Sequence, residues 1–294
     1  MPASPSSPNI LASRDLPVSE LLILSIGKDT ARCRRVGDRE PVTLCCRGLA
    51  LLVPGQIATV RVRSEKKLAT RTRVEGDLVD RRTAVEAFDL ARWAPTEEGV
   101  WDPGEAEWLD NLGRDWAKRL RKRGPRRSVE MQQVLPGFGP DADVDEDPIL
   151  EAVDLRESGD EAGAWLHLMK LVGRDLRCID AHVHLGNLAF DDHPMIAVAH
   201  YEVAVRLGEH QLGKDFDGVI PWGLIDNRPY LRALHGYGLC RWRIGDFDGA
   251  LAIFERMVWL CPWDNLGARS LFRPVRARKP WRSDDEDVSD TRQR

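Results

Sequence analysis

Gly245-Asp246-Phe247-Asp248-Gly249-Ala250-Leu251-Ala252-Ile253-Phe254 has an earlier echo in Gly159-Asp160-Glu161-Ala162-Gly163-Ala164-Trp165-Leu166-His167-Leu168. In both, a Gly-Asp turn leads into a helix with a small alanine five residues after the glycine. Between them lies Ala197, with Tyr201 four residues later, matching Ala250 with Phe254. The alanines stand 33 residues apart (164 to 197) and then 53 apart (197 to 250). A repeat near 34 residues marks helical pairs stacked side by side, each burying a face that its neighbour completes. The second interval equals one such period plus an insertion of about 19 residues, falling at 208–229. Small residues let paired helices approach closely, while the aromatic fills the space between neighbouring pairs.

Over 148–272 the chain resembles the tetratricopeptide repeat (TPR) superfamily. The last repeat carries Tyr237-Gly238, Gly245, Ala250, Phe254 and Pro262. The middle repeat supplies Leu185-Gly186, Ala189, Ala197, Tyr201 and Ala204, and the first Leu155, Ala164 and Leu168. Arg241 stands where the pattern has an aromatic, with Trp242 beside it. The resemblance implies a concave groove lined by the first helix of each pair. In that registration Asp180, Asn187 and Phe190 face the groove from the middle repeat, and Arg232, His235, Leu239 and Trp242 from the last. Asn187 matches the place where some peptide-binding members hold an asparagine against a peptide backbone or carboxylate; the lysines that complete that clamp are absent. The implied partner is a protein or peptide segment, acidic or aromatic, held by Arg232 and Trp242. The plainer reading of Trp242 is packing against its neighbours.

The insertion contains Val219-Ile220-Pro221-Trp222-Gly223-Leu224 and then Asp226-Asn227-Arg228-Pro229. Its apolar content predicts a loop folded back on the repeats. Asp226 or Asn227 is expected to cap the helix starting near Pro229. Long loops often carry function, so Trp222, Asn227 and Arg228 are candidates for ligand contact.

The N-terminal half reads differently. Ile57-Ala58-Thr59-Val60-Arg61-Val62-Arg63 alternates apolar and polar residues, the period of a half-buried strand. Short apolar segments at Leu21–Leu24 and Val42–Cys46 precede it, and Leu68–Val74 and Asp77–Arg82 follow, divided at Gly76. Strands so closely spaced predict a small antiparallel barrel or curled sheet. Asp102-Pro103 then opens an amphipathic helix with Trp108, Leu112, Trp116 and Leu120 on one stripe. It runs into a basic cluster, Lys118 to Arg127, with seven Lys/Arg in ten residues. The expected layout is α+β in two domains: a leader at 1–18, a β domain at 19–95, a basic helix at 96–130, an acidic linker at 131–147, the helical array at 148–272, and a tail at 273–294. Leader and tail are expected to be disordered.

Charge divides along the same line. Lys28 to Arg82 holds 14 Lys/Arg against 7 Asp/Glu, whereas Met131 to the end holds 19 against 28. The cations Arg61, Arg63, Lys66, Lys67, Arg71 and Arg73 flank a predicted hairpin and could follow a phosphate backbone. Residues 28–82 contain no Phe, Tyr or Trp on which bases could stack. Nucleic acid therefore ranks second to protein as a partner, and a solvated face protecting sheet edges is the plainer reading.

Catalytic motifs are missing. There is no Gly-x-Ser-x-Gly elbow, phosphate-binding glycine loop or His-Glu-x-x-His. All seven histidines lie between His167 and His235 without ligand spacing; His193 and His200, seven apart, could share a helix face. The acid pairs Asp191-Asp192 and Asp284-Asp285 sit at a turn and in the tail. The six cysteines form no Cys-x-x-Cys and read as buried reduced thiols. No apolar run spans a bilayer. The sequence thus predicts a cytoplasmic, non-catalytic adaptor without cofactor, metal or membrane association.

Overall fold

The computed structural model describes residues 16–139, 143 and 146–282. The leader to residue 15, linker residues 140–142, 144 and 145, and the tail from 283 with Asp284-Asp285 lie outside the described residues. The chain divides into two compact units, Met1–Arg82 and Thr83–Arg294.

The first unit is a closed five-stranded barrel. Strands β1 (Val18–Ile26), β2 (Ala31–Arg35), β3 (Pro41–Arg47), β4 (Gln56–Lys67) and β5 (Thr72–Thr83) follow the order β1-β2-β3-β5-β4. β1 pairs antiparallel with β2 and β4, and β2 with β3, but β3 and β5 run parallel. The expected all-antiparallel arrangement is corrected at this pair for a geometric reason. Neighbours that all alternate in direction close only with an even number of strands, so five need one parallel pair.

Alternation along each strand fills the barrel. Ala58, Val60 and Val62 of β4 join Leu21, Ile23, Cys33, Val42, Leu44 and Val74 in a core without aromatics. Gln56 is buried and its Oε1 accepts from Val53 N at 3.1 Å, fixing the turn into β4. β5 continues through Gly76, where the sequence predicts a break. A side chain at Gly76 would strike the Arg61 carbonyl and Val60 on β4, so glycine serves close strand approach there.

In the second unit, the single helix expected from Asp102 is replaced by several elements. Strand β6 (Thr96–Trp101) pairs antiparallel with β7 (Arg126–Glu130). Between them come a turn capped by Asp102, a 3-10 stretch at Glu107–Leu112, and helix α1 (Arg114–Arg123). Gly113 at φ 91° breaks the helical path. The predicted stripe nonetheless survives as one cluster, with Leu112 and Leu120 buried and Trp108 and Trp116 packed on it. Residues 84–95, expected in the β domain, belong with the helices. Arg92 donates from Nε to the Gln211 carbonyl at 3.3 Å and from Nη2 to that of Leu212 at 3.2 Å.

Seven further helices follow: α2 (Pro148–Glu157), α3 (Glu161–Arg174), α4 (Ile179–Ala189), α5 (Pro194–Leu212), α6 (Arg228–Arg243), α7 (Phe247–Leu260) and α8 (Ala268–Arg276). Each packs on the next, and α4 also packs on α6. The tail, expected to be disordered from 273, instead begins inside α8 and continues as ordered chain to Arg282.

The three alanines of the repeat reading occupy matching positions. Ala164, Ala197 and Ala250 are each the fourth residue of their helix and 0% exposed. Each donates its amide to the residue four before it, Asp160, His193 and Asp246, at 3.0 Å. Asp160 and Asp246 also accept from Gly163 N and Gly249 N through their side chains, closing the first turn of α3 and α7. Leu168, Tyr201 and Phe254, one turn further on, are buried.

Candidate functional site

α4 and α6 together line a cleft of about 310 Å³. Its walls hold Asn187, Phe190, Arg232, His235 and Leu239, five of the seven residues expected to face a groove. Tyr201 and Gly236 form its base, and Asp191 stands at its rim. Small residues make this packing work. The Tyr201 ring fits between Gly186 of α4 and Gly236 of α6, and a β-carbon at either would overlap it. Phe254 of α7 meets Gly238 in the same way.

Polar groups in the cleft are already oriented. The Tyr201 hydroxyl donates to Asn187 Oδ1 at 2.5 Å, which fixes the amide with its Nδ2 side free to donate. Arg232 Nη2 lies 3.2 Å from Asp180 Oδ2. Burial raises the Asp180 carboxyl above its usual range, opposed by the charges of Arg232 and His184. Asp180 thus backs Arg232 from below instead of facing a ligand. At the carboxyl end of α4, Arg243 donates to the Phe190 carbonyl at 2.6 Å and to that of Asp191 at 2.9 Å. Its guanidinium lies 5.2 Å from the Phe190 ring centre. Burial lowers the His235 pKa, so its imidazole is neutral at pH 7 and Arg232 is the cation of this wall.

Trp242 does not join this cleft, contrary to the sequence reading. It is 8% exposed, and its Nε1 donates to the Lys279 carbonyl at 2.7 Å. It lines a neighbouring cavity with Pro274, Lys279, Pro280 and Arg282. The reason is the ordered segment after α8, which covers it.

The insertion residues serve the fold. Val219 bridges to the free side of β7, with Val129 N to Val219 O at 3.0 Å and Val219 N to Arg127 O at 2.9 Å. Asn227 is fully buried and makes three side-chain bonds: it accepts from Met131 N at 2.8 Å and donates to the carbonyls of Val129 at 3.0 Å and Pro221 at 2.9 Å. Asn227 stands at the N-cap position of α6 but gives it no side-chain cap, which corrects the expectation that Asp226 or Asn227 would supply one. Arg228 lies 5.3 Å from the Trp222 ring centre and donates to its carbonyl at 3.1 Å. These contacts bind the loop to residues 126–133, whose sequence reads only as a basic helix end and a linker.

The basic cluster at 118–127 is largely engaged as well. Arg126 sits between Trp101 at 5.1 Å and Trp259 at 4.4 Å, and burial pulls its pKa down to about 10. Arg119 lies 5.0 Å from Trp116 and 5.1 Å from Trp259, and Arg123 pairs with Asp217 at 2.6 Å. On the barrel, Arg63 pairs with Asp77 at 3.3 Å and Arg73 with Glu75 at 3.0 Å. Arg63, Lys66, Lys67, Arg71 and Arg73 are exposed and Arg61 is half-buried; Lys66, Lys67 and Arg71 flank the β4–β5 connection.

Sequence reasoning missed one buried cluster. His182 of α4 and His200 of α5 face each other with Nδ1 atoms 3.1 Å apart, and Trp165 sets its ring edge-on to His200 at 5.6 Å. Both imidazoles are fully buried. Burial lowers both pKa values, that of His182 to about 3, so one neutral ring donates to the other. His193 is not part of this contact, although the spacing had suggested a shared face with His200. Among the described residues no group of three or more His, Cys, Asp or Glu could hold a metal ion. All six cysteines are unpaired thiols, four of them buried. Also among the described residues, no helix is long and apolar enough to cross a membrane.

No protein-family model matches the chain, and a search of curated proteins returns no match either.

Proposed function

We propose that the chain is a non-catalytic adaptor of tetratricopeptide type, and that the cleft between α4 and α6 holds a peptide segment of a partner protein. The observation that carries this reading is the convergence of Asn187, Phe190, Arg232, His235 and Leu239, spread over 53 residues of sequence, on one open cleft. The matched alanines of α3, α5 and α7 support the repeat assignment, as does the contact between α4 and α6. In a stack of helical pairs, first helices line the concave face together. The chemistry suits an extended segment: an amide donor at Asn187, a cation at Arg232, and apolar surface at Phe190 and Leu239.

Selection of a displayed random-peptide library on the full chain tests this reading. Peptides recovered with the natural chain should be lost on the Arg232→Glu and Leu239→Glu variants, both with unchanged circular dichroism. Recovery of the same peptides on all three proteins would overturn it.

A second reading is favoured by one feature of the barrel. Five-stranded Greek-key barrels can bind oligonucleotides through the β2–β3 face and the β1–β2 and β4–β5 loops. Lys66, Lys67 and Arg71 cluster at that β4–β5 connection. This reading predicts binding to single-stranded oligonucleotides that weakens steeply with salt and fails when these three residues become glutamate. No binding at low salt would dismiss it.

A further inference from the structure

The chain after α8 first closes the helix, with Arg278 at φ 49° and Lys279 N donating to the Pro274 carbonyl at 3.0 Å, and then docks through Trp281. Arg276 to Pro280 are exposed, and Trp281 is the more enclosed side chain at the end of this run. The Trp281 ring stands edge-on to Trp242 at 5.2 Å and 89°, and edge-on to Phe190 at 5.8 Å and 73°. Trp242 Nε1 donates to the Lys279 carbonyl at 2.7 Å, a side-chain grip on the backbone just past the turn that closes α8. Arg278 pairs with Asp248 at 2.9 Å, where both side chains are exposed and the pair is weak. Phe190 belongs both to this notch and to the cleft between α4 and α6. Trp281 therefore stands where the cleft begins.

We propose that Phe190 and Trp242 form an aromatic-anchor subsite of the cleft, filled by the chain's own Trp281. A partner segment enters with an aromatic side chain of its own and displaces Ala277–Arg282. The inference rests on the peptide-cleft reading for the partner, but the notch and its occupant are independent of it. Three features define the ligand. A ring must fit edge-on between Phe190 and Trp242. A backbone carbonyl must lie two residues before it, where Lys279 stands. Proline directly before the ring is compatible, as Pro280 is here. A tethered occupant competes at high effective concentration, so a free peptide should meet a largely closed subsite in the natural chain.

The probe is a fluorescein-labelled synthetic peptide with the sequence of Arg276–Arg282, titrated with full-length proteins and read by anisotropy. The Trp281→Ala variant should bind it about tenfold more tightly than the natural chain, because the tethered competitor has lost its anchor. Trp281→Phe should stay close to the natural chain. Adding Phe190→Ala to Trp281→Ala should remove the gain, with circular dichroism unchanged. Equal binding by the natural chain and Trp281→Ala, or binding that survives Phe190→Ala, would overturn the proposal. The two readings fail separately. Library peptides sensitive to Leu239→Glu but indifferent to Trp281→Ala leave the cleft standing and overturn the anchor. Tail-peptide binding gained by Trp281→Ala, beside library peptides indifferent to Leu239→Glu, keeps the anchor and overturns the cleft.

Discussion

The hydroxyl of Tyr201 reaches Asn187 Oδ1 at 2.5 Å while its ring fills the gap between Gly186 and Gly236. One side chain from α5 thus spaces α4 from α6 and orients the amide at the cleft. The spacing depends on the absence of β-carbons at the two glycines.

Gly236→Ala is an informative change for that reason. Inside a helix, alanine normally stabilises by about 1 kcal/mol relative to glycine. Here its methyl would overlap the Tyr201 ring, and overpacking of this kind costs about 1–3 kcal/mol. The expected outcome is net destabilisation, read as a lower urea midpoint. All ten tryptophans lie between Trp93 and Trp281, so tryptophan fluorescence reports unfolding of the second unit alone. A raised midpoint would show that the ring has room to move.

Asn227→Ala should be among the most damaging single changes outside the helices' own seams. It strands the Met131 amide and the carbonyls of Val129 and Pro221 within a buried region. An unsatisfied buried polar group costs about 1–3 kcal/mol, so a total loss of about 2–4 kcal/mol is expected. Urea unfolding followed by the same fluorescence checks this. A loss below about 1 kcal/mol would place the attachment of the insertion elsewhere.

What the sequence made legible was local or periodic. The Gly-Asp turns at 159 and 245 and the alternation in β4 are each read within a few residues, and the alanine positions by their recurrence along the chain. The pairing of β7 with Val219 is different, because its partners are about ninety residues apart and Arg126-Arg127-Ser128-Val129-Glu130 has no apolar alternation of its own. Its strand form comes from hydrogen bonds on both sides, so the basic run reads as a helix end. The cleft residues came from the registration that the repeat resemblance implies, which named Asn187, Phe190, Arg232, His235 and Leu239 together with Asp180 and Trp242. Trp242 was misplaced because Trp281, which covers it, sits in a charged stretch that composition assigns to disorder. The His182–His200 contact joins two helices and leaves no local pattern.

The histidine pair gives the second unit a defined response to acid. Both rings are neutral in the fold, with pKa values lowered by burial, whereas the unfolded chain protonates them near pH 6.5. The unfolded state therefore binds more protons below that pH, and stability falls as pH drops from about 6.5 towards 3. Each pH unit in that window costs about 1.4 kcal/mol per histidine held neutral. Urea midpoints between pH 7.5 and 5.5 should decline for the natural chain. The slope should flatten for the double variant His182→Leu/His200→Leu, which replaces both partners with apolar groups. Equal slopes would assign the acid response to other groups.

The most direct measurement of the central claim is the dissociation constant of a selected peptide for the natural chain against the Leu239→Glu variant. Leu239 lies half-buried on the cleft wall, where a carboxylate changes the lining without entering the helical seams. The peptide-cleft account predicts at least about a tenfold weaker constant, in keeping with loss of a central apolar contact. An unchanged constant, with the variant folded as judged by circular dichroism, would contradict it.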